Sequence, residues 1–178
     1  KTSWPTLMND LAAGLFDIAM SGISIIPSRE QHAYFSAPYH VGGKSPITLC
    51  SRVDEFSSIE EIDQPNVRAI VNPGGTNERF IDAKLRRAKK ILHQDNRTIF
   101  DEIIKGNADL MITDSIEVRL QANLHPELCG SMPGETLTYQ EKGYMMPKDP
   151  ALRLEVNQWL EEVRSQNILE RIFEQHLN

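Results

Sequence analysis

LAAGLFDIAMSGIS at positions 11–24 and IIKGNADLMITDSI at positions 103–116 are two versions of one pattern. Each passes from a helical segment into a Gly, reaches an Asp three residues later, continues as an apolar stretch of strand length and ends on a hydroxyl. The residues are Gly14, Asp17 and Ser21 in the first, and Gly106, Asp109 and Thr113 in the second. A Gly just past a helix supplies the left-handed conformation that ends it, so either segment alone is an ordinary helix-to-strand connection. Repetition of all three features at one spacing points instead to two similar α/β halves.

Periodicity outward from these segments predicts helices at about 5–13, 58–63, 77–89, 97–105, 115–123, 150–164 and 168–176. Strand-length apolar runs lie between them: FDIAMS (16–21), SPITLCS (45–51), RAIVN (68–72), ADLMIT (108–113) and KGYMMP (142–147). Alternation of the two types predicts an α/β architecture with largely parallel sheets. Leu152, Val156, Trp159, Leu160 and Val163 fall at helical spacing and read as a core-facing stripe.

The 178 residues carry 25 acidic and 19 basic side chains, a net charge of −6, with 40% hydrophobic residues. No apolar run approaches the roughly 18 residues of a membrane span, which excludes membrane insertion by a helix. An acidic chain whose one basic cluster is local, Lys84 to Lys90, lacks the phosphate-binding surface of a general nucleic-acid binder. The five His residues show no HExxH or paired spacing, and Cys50 and Cys129 lie in no zinc pattern, so no metal and no cofactor are expected. The two Cys are compatible with one disulfide or with two free thiols.

In open α/β sheets ligands bind beyond the carboxyl ends of the strands, so the residues following each strand are the candidates. Ser21, Gly22 and Ser24 follow the first, with Arg29 soon after. An Arg fork matches a carboxylate bidentately, and Gly22 leaves room for a ligand to approach the backbone, although a lone Arg after a loop Pro is also an ordinary solvated residue. Asn72-Pro73-Gly74-Gly75-Thr76 follows RAIV and opens a helix, where free N–H groups favour an anion. That segment reads equally as a turn in which Gly74 and Gly75 take positive φ and Thr76 caps the helix. Asp114 and Glu117, three apart at a helix start, share a face of its first turn. They could meet a ligand, or form a capping box in which Glu117 reaches back to a backbone N–H.

WPTLMNDLAAGLFDIAMSGISIIPSREQHAYFSAPY resembles the ligand-binding half-lobe of the type II periplasmic solute-binding proteins of the polar amino-acid class. It contains a Gly-x-Ser followed five residues later by Arg, then Phe-Ser-x-Pro-Tyr. The resemblance implies a two-lobed periplasmic-binding-protein type II fold. Lobe 1 would be residues 1–43, lacking its first strand, helix and following strand; lobe 2 would be 44–141; and 142–178 would return to lobe 1. Within the family, TSWP, GGKSPITLC, AIVNPGGTNERF, ADLMITDSIE and LHPELC resemble an enzymatic branch of dehydratases that convert prephenate to phenylpyruvate and arogenate to phenylalanine.

That resemblance implies a general acid at Glu117, with Lys44 orienting substrate or stabilising charge, and a carboxylate clamp at Arg29. It implies substrate contacts at Trp4, Ser21, Gly22, Ser24, Asn72, Gly75 and Thr76, and an α-amino group received by Asp114. A Cys50–Cys129 disulfide, a periplasmic location and a small carboxylate ligand are implied with them. Prephenate chemistry agrees: loss of water and CO2 creates an aromatic ring, so the main demand is a proton for the leaving hydroxyl. Burial would raise the pKa of Glu117 toward neutrality, whereas a cation touching it would act the other way. The rival implied by the family is a non-catalytic receptor delivering an amino acid to an ABC permease.

Overall fold

The computed structural model describes residues 2–177. In chain order it contains α1 (Leu7–Ala12), α2 (Pro27–Glu30), β1 (Tyr34–Phe35), β2 (His40–Gly42) and β3 (Lys44–Leu49). A 3-10 segment (Cys50–Glu55) leads to α3 (Ile59–Ile62), β4 (Arg68–Val71), α4 (Thr76–Lys84), β5 (Lys89–Leu92) and α5 (Ile99–Ile104). Then come β6 (Leu110–Asp114), α6 (Ser115–Leu124), β7 (Leu128–Gly130), β8 (Gln140–Lys142), β9 (Met145–Met146), α7 (Pro150–Ser165) and α8 (Ile168–Leu177). The chain forms two compact units, 2–41 with 139–176, and 42–138 with Leu177.

The central unit is built on a five-stranded sheet in the order β5-β4-β6-β3-β7. Its sheet is mixed, which corrects the expectation of a largely parallel one. β4 is parallel to β5 and β6, but β3 runs antiparallel to β6 and β7. Parallel neighbours require crossovers, which the helical segments after β4 provide; β3 enters the sheet from its other end and needs none. Side chains alternate between the faces. Ala69, Val71, Leu110 and Ile112 join Phe56, Ile62 and Phe80 on one side, while Ile70, Met111 and Ile47 join Ile99, Phe100 and Ile103 on the other. A Cys50–Cys129 disulfide ties the segment after β3 to β7.

The helix expected over 77–89 stops at Lys84, and Lys89–Leu92 is instead the edge strand β5. The carboxylate of Asp63 explains the break. Its Oδ1 accepts from the backbone N–H groups of Arg86, Arg87 and Ala88 at 2.9, 2.6 and 2.9 Å, which turns the chain out of the helix. Lys89 and Lys90 on that edge place charge where further strand pairing could occur.

In the other unit β1 pairs with β9 and β2 with β8. FDIAMS, read as a strand, is not one: its backbone finds a ladder partner only through Ala19, which exchanges hydrogen bonds with Met145 at 2.8 and 3.1 Å. Gly14 and Gly106 both adopt positive φ, +67° and +75°, as helix-ending glycines do. The echo ends there, because Asp17 is exposed while Asp109 is buried. Pro150 begins α7 behind Asp149, whose Oδ1 accepts from the N–H groups of Ala151 and Leu152. Leu160 and Val163 bury their side chains as the stripe predicts, but Trp159 remains 42% exposed, its ring 6.0 Å from that of Tyr144.

Candidate functional site

The polar residues of the central unit gather where β4 and β6 end and β3 begins. Antiparallel register sets Lys44, the first residue of β3, opposite Asp114, the last of β6, and Ser45 opposite Thr113. The start of β3 therefore shares a sheet edge with the carboxyl ends of its neighbours, and α4 and α6 also begin there.

Lys44 is fully buried. Its Nζ donates to Asp114 Oδ1 at 2.7 Å, to Thr76 Oγ1 at 2.9 Å and to Asn77 Oδ1. Asn77 continues the chain of contacts, donating from Nδ2 to Thr113 Oγ1 at 3.0 Å. The Thr113 hydroxyl, itself fully buried, donates to Glu117 Oε2. A hydroxyl has one proton and two lone pairs, so accepting from Asn77 and donating to Glu117 is its natural use. Lys44, Asn77, Thr113 and Glu117 thus form one directed network that fixes an oxygen of a half-buried carboxyl group.

These contacts resolve what spacing left open. Asp114 stands at the N-cap of α6 without a side-chain cap bond, its carboxylate engaged by Lys44. Thr76 is the first helical residue of α4 rather than its cap; the cap position belongs to Gly75, and Thr76 presents its hydroxyl to Lys44. Only Gly74 of the glycine pair has positive φ, +82°. Its N–H donates to Glu78 Oε2 at 2.8 Å, which pins the turn to its own helix. Asn72, just past the end of β4, is 3% exposed, and its buried Oδ1 has no hydrogen-bond partner among the described residues. An unsatisfied buried acceptor costs about 1–3 kcal/mol, and a ligand donor would relieve that cost.

The other unit carries Trp4, Ser21, Gly22, Ser24 and Arg29. Arg29 is buried, with Nη1 donating to the Ser24 carbonyl at 3.0 Å and its guanidinium 5.8 Å from the Trp4 ring centroid. Ser21 offers its carbonyl to the Tyr39 hydroxyl at 3.0 Å. A Cβ placed on Gly22 would stand in open space, so the backbone there is approachable.

Sequence reasoning missed Asn77 and Lys142. Asn77 had a signal, since it follows Thr76 in the same first helical turn. Lys142 had a fainter one, a lysine opening the apolar run KGYMMP. It is 1% exposed, and its Nζ donates to Ser24 Oγ at 2.7 Å. Among the described residues no cluster of three His, Cys, Asp or Glu side chains is placed to hold a metal ion, and no helix is long and apolar enough to cross a membrane.

Comparison with known proteins finds close relatives. The chain is 53% identical over 176 residues to a curated cyclohexadienyl dehydratase of Pseudomonas aeruginosa, covering 99% of this chain and 66% of that protein, slightly under two thirds of its length. Among solved structures it resembles an ancestral amino-acid-binding protein described as a precursor of cyclohexadienyl dehydratase, with a TM-score of 0.89 and 30% identity, over 99% of this chain and 76% of that one. It also resembles an ancestral cyclohexadienyl dehydratase, with a TM-score of 0.53 and 45% identity, over 99% and 73% of the two chains. The α/β fold is that of the two-lobed periplasmic binding proteins. Because the family model spans residues 1–178, the whole of this chain belongs to the bacterial extracellular solute-binding proteins, family 3.

Proposed function

We propose that this protein is a periplasmic cyclohexadienyl dehydratase, a carbon–oxygen lyase acting on prephenate and L-arogenate. The observation that carries the reading is the network from Lys44 through Asn77 and Thr113 to Glu117. A receptor that only binds an amino acid has no use for a carboxyl group held in this way. The 53% identity to the Pseudomonas aeruginosa dehydratase over nearly the whole chain supports the same reading.

In the proposed reaction Glu117 protonates the ring hydroxyl of the substrate. The C–O bond breaks and water leaves. The bond from the ring to its carboxylate breaks in the same sense, CO2 departs, and its electron pair completes the aromatic ring. Thr113 holds one oxygen of Glu117 so that the other can deliver the proton. Lys44 acts through Asn77 and Thr113, which makes it a positioning residue. A preorganised donor costs no rearrangement at the moment of reaction, the condition under which such groups stabilise a transition state best. Arg29 clamps the side-chain carboxylate, and the buried acceptor Asn72 Oδ1 receives a substrate donor.

A receptor for an amino acid is the second reading, favoured by the 30% identity to the ancestral amino-acid-binding protein. The deciding experiment follows phenylpyruvate release from prephenate at neutral pH against the uncatalysed background. Catalysed turnover supports the dehydratase. Its absence, with tight binding of a free amino acid by calorimetry, would establish the receptor. Arg29→Ala is expected to weaken binding of prephenate by roughly 10–100-fold, the loss of a charge-assisted hydrogen bond worth about 1.5–3 kcal/mol; an unchanged Kd would remove Arg29 from the clamp.

A further inference from the structure

The hydrogen bonds that reach Glu117 run in one direction, and a single side chain sets it. Lys44 Nζ carries three donors and no acceptor, so the atom of Asn77 that meets it is the carbonyl oxygen Oδ1. The planar amide then turns Nδ2 toward Thr113, and in that contact of 3.0 Å the nitrogen is the donor. Thr113 Oγ1 receives this hydrogen, which leaves its own proton for Glu117 Oε2. Reversing any one link would set two donors or two acceptors face to face. Thr113 is fully buried in β6, and Asn77 stands half-buried in the first turn of α4, so both ends of the amide are held by the fold.

We propose that Asn77 is a positioning residue for the proton transfer: its amide fixes the polarity of the network, commits the Thr113 proton to Glu117 Oε2 and so confines the transferable proton to Oε1. This rests on the dehydratase reading. A protonated carboxyl group accepts best at its carbonyl oxygen, so while Thr113 donates to Oε2 the acid proton resides on the other oxygen. The same polarity closes this route to proton supply. Each prephenate dianion takes up one proton in becoming phenylpyruvate monoanion, CO2 and water, and Glu117 is left as a carboxylate. An amide that accepts at Oδ1 and donates from Nδ2 passes no proton between the two atoms. Lys44 therefore holds the network without recharging it, and the replacement proton comes from solvent to Oε1.

The test is a double-mutant cycle read on the Glu117 carboxyl in the full-length protein, its pKa followed by 13C NMR and its signal assigned by loss in Glu117→Gln. Asn77→Asp makes both atoms of the amide acceptors, so Thr113 turns its proton toward position 77; Thr113→Val removes the hydroxyl. Losing a hydrogen bond to the charged form raises a carboxyl pKa. Thr113→Val is therefore expected to raise that of Glu117 by about one to two pH units in the parent, the scale of a hydrogen bond to a charged group. In the Asn77→Asp background, where the bond is already gone, the rise should be less than half as large. A rise of half or more in that background, or none in the parent, overturns the proposal. The new charge at position 77 is present on both sides of the second comparison and cancels. So do the charged groups of the surrounding elements: Lys44 on β3, Asp114 on β6, Glu78 and Arg79 on α4, and Arg119 on α6.

Should Asn77→Asp fail to fold, neutron diffraction from the unmodified protein decides. Deuterium must lie on Thr113 Oγ1 toward Glu117; deuterium turned toward Asn77, or carried on Glu117 Oε2, overturns the polarity. Absence of prephenate turnover in the parent defeats the dehydratase reading alone, because the carboxyl titration and the hydrogen positions are read without catalysis.

Discussion

Glu117→Gln is expected to lower kcat for prephenate by roughly 10²–10⁴-fold, the range that a positioned general acid contributes, while leaving the dissociation constant within about threefold. The side chains are nearly isosteric. Glutamine keeps an oxygen with which to accept from Thr113, as Glu117 Oε2 does now, so the network that ends at this position persists. What disappears is the proton. Phenylpyruvate formation at saturating prephenate checks the first half, and calorimetry with the variant checks the second. Retention of kcat within a factor of ten would show that the leaving hydroxyl takes its proton elsewhere. Loss of binding together with turnover would make Glu117 a ligand-holding residue.

Asp109→Ala should unfold the protein far more readily, with an expected loss of about 2–4 kcal/mol. At the entrance to β6, Asp109 Oδ1 accepts from Arg52 Nη1 at 2.7 Å and from Arg68 Nη2 at 2.8 Å. Its Oδ2 takes the Arg68 N–H at 2.7 Å and Arg68 Nε at 3.1 Å. The acid is 5% exposed, and its removal strands the backbone N–H of Arg68 while leaving Arg52 only Glu55 and Arg68 only the Asn107 carbonyl. Breaking a fully enclosed pair costs about 3–5 kcal/mol; here the Arg52 and Arg68 side chains are 31% and 38% exposed and can turn partly to water, which lowers the figure. Urea unfolding at neutral pH gives the difference, and a loss below about 1 kcal/mol would contradict it.

The same residue gives a pH signature. Burial pushes the Asp109 carboxyl up, but the hydrogen bonds from Arg68 and Arg52 and their charge outweigh it, leaving a pKa of about 2. The unfolded value is near 3.9. A folded pKa below the unfolded one means that this stabilisation is complete above about pH 4 and is lost as the pH falls toward 2. The stability gap between the parent and Asp109→Ala should therefore close over that interval.

Local pattern made several features readable in advance. Helix α7 was legible from Pro150 and the stripe ending in Leu160 and Val163, and β4 and β6 from their unbroken apolar runs. The turn before α4 was legible because only glycine takes the φ of +82° found at Gly74 without strain. Other features had no local signature. FDIAMS has a strand's composition, yet a strand exists through its neighbours, and this one has a single bridge. Conversely, the helix read over 77–89 continues past Lys84 until Asp63, more than twenty residues earlier, draws away the N–H groups of Arg86, Arg87 and Ala88.

The candidate site divides along the same line. Residue chemistry and strand ends single out Arg29, Thr76, Asp114 and Glu117 from the chain alone, because turn residues, helix starts and carboxylate-binding forks depend on neighbours within a few positions. Nothing local marks Lys44, which its sequence neighbours present as the first residue of an ordinary strand and only family resemblance nominated. Its contact with Asp114, seventy residues away, follows from antiparallel register, which sets the two opposite each other. Asn77 and Lys142 likewise look like solvated polar residues until folding buries the partners they bridge. Backbone preferences act over a few residues and are written in order along the chain; charge networks act through space, and their members are fixed when strand pairing brings distant positions to one edge of a sheet.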